Sequence, residues 1–85
     1  MYDWDVIEAK PEEHLTLFVR FADGVAGKVR FLPSCLKGVF IPLKETVFFN
    51  EVFVHDGVVT WPGEIDLAPD AMHDEIQQHG EWILE

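Results

Sequence analysis

Lysine and arginine are missing from the second half of this chain. All six lie between Lys10 and Lys44, and residues 45–85 hold ten acids and no base. Residues 1–44 balance six acids against those six bases, so the whole formal charge of −10 belongs to the second half. A surface of that sign repels phosphate backbones and attracts basic partners. Its minimal role is to keep a small domain in solution. Cysteine is nearly absent as well. With Cys35 alone, an internal disulfide and a cysteine-based metal knuckle are both excluded. No apolar run approaches the ~20 residues of a membrane span. The opening MYDWDVIEAK lacks the basic stretch and apolar core of a secretory signal. These absences predict a cytoplasmic protein that does not engage a membrane. Repeats, low-complexity segments and linkers are also lacking, so the 85 residues read as one domain, 1–85. A chain of this length buries somewhat over ~60% of its unfolded surface and can fold alone.

What is present begins with His14 to Phe31, which reads as a β-hairpin. Leu15, Leu17, Val19 and Phe21 alternate with Thr16, Phe18 and Arg20, the period-two signal of a half-buried strand. On the return, Val25, Val29 and Phe31 share a face opposite Lys28 and Arg30. A two-residue Asp23-Gly24 loop would pair Val19 with Lys28 and Leu17 with Arg30, setting apolar side chains against charged ones. A three-residue loop with Gly24 left-handed pairs Phe21 with Val25, Leu17 with Val29 and Leu15 with Phe31. It keeps one face wholly apolar, and this register is the prediction. Gly27 then lies opposite Val19, where a missing side chain marks a bulge or close packing. Arg20, Lys28 and Arg30 gather on the outer face.

Elsewhere, Tyr2, Trp4 and Val6 alternate with acids, predicting a strand over residues 2–9 that Pro11 ends. Pro33 to Gly38 fits one helical turn. Val39-Phe40-Ile41-Pro42-Leu43 is apolar but broken by proline, so it reads as an edge or a connection. Residues 44–50 are assigned a short helix. Glu51 to Trp61 is a second hairpin with Asp56-Gly57 at its tip. A two-residue type I′ loop sets Val52 and Val54 on the face of Val59 and Trp61, and a three-residue loop also gives acceptable pairs. Ile65 and Leu67 add a very short strand. Pro69 to His79 is a helix, with Asp70 at its positive end, Met72, Ile76 and His79 on one face, and Gly80 as a left-handed stop. The expected fold is therefore α+β. It comprises a small antiparallel sheet built from two hairpins and an N-terminal strand, one C-terminal helix, and one or two short helical turns.

Chemistry-bearing patterns are few. Asp70, His73 and Asp74 share a helix face by spacing, but no metal motif accompanies them, and a solvated helix face is the better reading. No metal or cofactor is expected. Cys35 reads as a small buried thiol rather than a nucleophile. Adjacent carboxylates such as Glu12-Glu13 point in different directions and make poor acid–base pairs. Phe18 with Arg20, Lys28 and Arg30 can form a stacking platform for single-stranded nucleic acid, or can pair with acids of the same chain. Phe40, Phe48, Phe49, Phe53, Trp61, Trp82 and Ile83 are many large groups for so small a core, and any exposed together would mark an interface.

Three segments carry a family resemblance: Phe21-x-Asp23-Gly24 followed by Gly27; Gly38-Val39-Phe40-x-Pro42-Leu43; and Trp61-Pro62-Gly63-x-x-Asp66-Leu67-x-Pro69-Asp70. Taken in order they span most of the chain, which resembles the bacterial "domain of unknown function 2442" family. The resemblance implies a small α+β domain and brings no activity or catalytic residue. Some relatives carry an added helix-turn-helix domain; this chain shows none, so a DNA-binding role does not transfer. Genes of the family often neighbour a gene for another small protein, an arrangement similar to toxin–antitoxin pairs, which implies a protein partner. Many relatives have Ser where this chain has Ala68, so Asp66 or Asp70 is expected to take over capping of the helix.

The expected function is non-enzymatic: a protein-interaction module, one member of a two-protein pair, with a basic partner. Self-association is compatible with the same reading. The anchor is expected at Trp82, Ile83 and Leu84, in a segment whose removal (residues 81–85) leaves the fold intact. The alternative is a nucleic-acid-binding or regulatory module using Phe18, Arg20, Lys28 and Arg30.

Overall fold

In the computed structural model, which describes residues 4–85, the chain runs in the following order. Strands β1 (Val6–Pro11), β2 (Thr16–Phe21) and β3 (Ala26–Phe31) lead into two 3-10 turns, Pro33–Cys35 and Gly38–Lys44. Helix α1 (Thr46–Phe49) follows, then β4 (Phe53–His55), β5 (Val58–Trp61), β6 (Ile65–Asp66), α2 (Pro69–His79) and β7 (Glu81–Leu84). The fold is α+β. Tyr2 and Asp3, the start of the predicted strand 2–9, lie outside the described residues. The strand itself begins at Val6 and runs through Pro11, which an edge strand tolerates because its N–H is not required for pairing.

The first hairpin has the predicted three-residue loop. Leu17 pairs with Val29 and Val19 with Gly27, and the Phe21 amide donates to the Val25 carbonyl at 2.8 Å. Gly24 closes the turn at φ +92°, and the Val25 amide donates to the Asp23 carboxylate at 3.0 Å. Leu15 lies outside β2 with φ +64°, although its carbonyl still accepts the Phe31 amide at 2.9 Å. The second hairpin resolves to the two-residue loop: His55 pairs with Val58, and both Asp56 (φ +50°) and Gly57 (φ +78°) are left-handed, as a type I′ turn demands.

The two hairpins do not share one sheet. The first sheet has the order β1-β2-β3-β7 and the second β4-β5-β6. The free edge of β3 is taken by β7, which runs parallel to it, pairing Val29 with Trp82 and Phe31 with Leu84. Parallel neighbours need a long crossover, and here everything between Leu32 and Gly80 provides it. With both edges of the first hairpin occupied, the second hairpin forms its own sheet, joined to the first by the Val6 amide donating to the Gly57 carbonyl at 2.9 Å.

The core lies between the layers. Leu17, Val19, Phe21, Val29 and Phe31 line the inner face of the first sheet; Val59 and Trp61 come from β5, Met72 and Ile76 from α2, and Leu43 and Phe49 from the connection. Gly27 marks close packing: a Cβ there would stand 2.5 Å from the Gly80 carbonyl oxygen and 2.6 Å from Ile76 Cγ2. Helix α2 has the predicted bounds, and Gly80 ends it at φ +80°. Two details differ. No side-chain hydrogen bond caps its N-terminal residue Ala68, and Asp66 is exposed on β6, so the expected substitute cap is not made. His79 is exposed, whereas His73 turns inward to meet Phe21 edge-on at 4.9 Å.

Candidate functional site

Strand alternation places Phe18, Arg20, Lys28 and Arg30 together on the outer face of the first sheet, as predicted. Their neighbours, however, are acids on the flanking strands or, for Glu12, just beyond the end of β1. Arg20 reaches Glu8 at 3.4 Å, Lys28 reaches Glu12 at 3.3 Å, and Arg30 Nε reaches Glu81 at 2.8 Å. Lys10 shares Glu8 at 3.4 Å, and the Arg20 guanidinium lies 5.9 Å from the Phe18 ring centroid. These glutamates were the residues that sequence reasoning missed. Glu8 is visible only once β1 is registered against β2, and Glu81 only once β7 is known to pair with β3. Among the described residues, Lys37 and Lys44 are the cations left without a carboxylate.

The same alternation divides Trp82, Ile83 and Leu84. Trp82 and Leu84 face the core and are half-buried against it, while Ile83 faces outward at 45% exposure. The three do not form one continuous anchor. Removal of residues 81–85 would also strip β3 of its parallel partner, so that truncation is not neutral to the fold. Beside β7 lie two open hollows. One, of about 340 Å³, is lined by Glu75, His79, Glu81, Trp82 and Ile83. The other, of about 320 Å³, is lined by Phe18, Gly27, Lys28, His79, Gly80 and Glu81.

Of the large apolar groups singled out above, Phe49 and Trp61 are fully buried, and Phe40, Phe48 and Trp82 are half-buried against the core. Phe53, at 44%, and Ile83 are exposed, and they are joined by groups not singled out, among them Val39 at 69%, Ile41 at 53% and Val47 at 78%. Proline at 42 winds the 39–43 segment into a 3-10 turn that buries Leu43 only. With Lys37 and Lys44 at its ends, this connection carries the opposite charge to the region around β7.

Among the titratable groups, His73 Nε2 meets Asp23 Oδ2 at 2.7 Å, tying α2 to the tip of the first hairpin. The predicted solvated trio is thus broken up, since His73 is inward and occupied. The Val25 amide, and secondarily His73, hold the Asp23 carboxyl below its ordinary value of 3.8. A folded-state value that is depressed adds stability above 3.8, and that stability is lost as the pH falls through this value and below. Asp23→Asn is therefore expected to melt earlier than wild type at neutral pH, with the gap closing in acid below about pH 4. Melting curves taken from pH 7 to pH 2.5 test this; a gap independent of pH would show that the carboxylate charge is irrelevant. Desolvation pushes the half-buried Cys35 thiol up, away from the reactive thiolate. Among the described residues no group of His, Cys, Asp or Glu is arranged to hold a metal ion. Among the described residues no helix is long and apolar enough to cross a membrane.

No curated protein and no solved structure matches the chain. A family model described as "Protein of unknown function (DUF2442)" matches residues 6–78, which covers both hairpins and nearly all of α2 and stops short of β7. With the match extending over most of its length, the chain belongs to the DUF2442 family.

Proposed function

We propose that this domain is a non-enzymatic protein-interaction module of the bacterial cytoplasm, one member of a two-protein pair, and that its partner is basic. One observation carries the reading. The cations of the first sheet are neutralised by its own glutamates, yet among the acids of residues 45–85 only Glu81 has a lysine or arginine partner. Charge that is matched on one face and left open across the other half of the chain favours a partner of opposite sign. The non-enzymatic part is supported by the occupation of the perturbed groups. Asp23 is held by Val25 and His73, and the Cys35 thiol is pushed towards its neutral form.

Nucleic-acid binding through Phe18, Arg20, Lys28 and Arg30 is less well supported. A phosphate would have to displace Glu8, Glu12 or Glu81 from each cation and then approach a molecule of net charge −10. The test is affinity capture of the tagged protein from its native lysate at low and moderate salt, with mass spectrometry of what is retained. A single stoichiometric basic protein that survives moderate salt is the expected result. Recovery of nothing above background at either salt would overturn the proposal.

A further inference from the structure

Resting on the interaction reading above, we infer that the open edge of β7 is a strand-addition site for an extended basic segment of the partner protein, with the hollow beside Glu75 and Trp82 receiving one of its lysine or arginine side chains.

β7 is the edge strand of its sheet. The Leu84 carbonyl accepts the Leu32 amide at 2.9 Å, so Leu84, and by alternation Trp82, turn their backbone groups toward β3. Glu81 and Ile83 therefore direct their N–H and C=O groups to the open side, which is the template that an added strand completes. Side chains of that strand alternate between the two faces. Those level with Trp82 fall on the inner side, under the last turns of α2, where the hollow of about 340 Å³ has Glu75, His79 and the indole of Trp82 in its wall; Glu81 borders it too but extends to the outer face, where it holds Arg30 at 2.8 Å. The Glu75 carboxylate, which lies 3.7 Å from His79 Nε2, and the indole face of Trp82 suit a cation, by ion pairing and by cation–π attraction. Those level with Ile83 fall on the outer side against its exposed surface.

A second copy of this chain is a poor occupant. Antiparallel self-pairing centred on Ile83 sets Glu81 directly opposite Glu85 of the other copy, and like charges directly opposite are destabilising. Of the two, Glu81 already holds Arg30, whereas Glu85 has no Lys or Arg partner among the described residues, and it favours a strand with a basic residue level with Glu85 beside an apolar one level with Ile83.

The probe is a capped hexapeptide of alternating lysine and valine, with the glutamate–valine hexapeptide as control. Binding is followed by backbone amide NMR and hydrogen exchange on the full chain. The expected result is binding of the lysine peptide alone, with slowed exchange at the Ile83 and Glu81 amides. Ile83→Pro removes only an amide that faces the open side, and proline is tolerated at such edge positions. It should leave the melting temperature close to wild type and weaken peptide binding at least tenfold. Glu75→Lys, at a half-exposed position of α2, should weaken binding comparably without touching the strand. Equal affinity in these variants, shifts confined to residues 37–47, or no binding by wild type would each overturn the inference. Repeating the lysate capture with Ile83→Pro separates this inference from the reading beneath it. A partner captured equally by wild type and variant overturns the β7 edge and leaves the interaction module standing. No partner from either, with the peptide still bound along β7, overturns the module and keeps the edge.

Discussion

Phe49→Ala is expected to cost about 3–5 kcal/mol, the range for removing a fully buried aromatic side chain. Phe49 is completely buried although it belongs to a helix of a single turn. Its ring meets Phe31 edge-on at 5.7 Å, Trp61 at a tilt at 5.9 Å, and His14 edge-on at 5.9 Å. Its carbonyl also accepts the Trp61 indole N–H at 2.9 Å, so the residue fixes Trp61 twice. A chain of 85 residues, at roughly 0.05–0.15 kcal/mol per residue, has about 4–13 kcal/mol of stability in all. The variant should therefore melt many degrees lower and populate the unfolded state near physiological temperature. Chemical denaturation followed by far-UV circular dichroism measures this. A loss under about 1 kcal/mol would mean that the aromatic cluster relaxes around the gap and is not the joint between the connection and β5.

Gly27→Ala tests the packing of α2 on the first sheet. In an ordinary strand, replacing glycine by alanine stabilises slightly, because the unfolded chain loses freedom. Here the new methyl would stand 2.5 Å from the Gly80 carbonyl oxygen, which is backbone and cannot swing aside. The helix end must lift, and β7, which follows directly, must move with it. Overpacking of this kind costs about 1–3 kcal/mol. At about 4–8 °C per kcal/mol for a domain of this size, the melting temperature should fall by roughly 4–24 °C. A higher melting temperature than wild type would show that α2 does not sit this close to β3. Because the same displacement distorts β7, the variant should also lose the lysine-peptide binding proposed for that edge, and Ile83→Pro should lose it without the fall in melting temperature.

The sequence by itself determined the local elements. The three-residue loop of the first hairpin followed from parity, since the other register sets Leu17 against Arg30. The bounds of α2 followed from Pro69 and Gly80, and the significance of Gly27 followed from the absence of a side chain where the pattern called for one. These features are legible because each depends on residues a few positions apart. The Asp66 cap was a local inference that failed, because Ala68 heads α2 with no side-chain cap at all.

Tertiary structure alone decided the rest. Nothing within Glu81-Trp82-Ile83-Leu84 says that it runs parallel to β3, because a parallel pair is joined through a long crossover and leaves no turn signal at either strand. That one pairing places the hairpins in separate sheets and divides Trp82 and Leu84 from Ile83. It also gives Arg30 its carboxylate and creates the open edge beside Glu75. The His73–Asp23 contact is likewise fifty residues apart in sequence. Side-chain spacing reports which face a residue occupies on its own element, but which surface that face meets depends on chain closure over distances that no local pattern records.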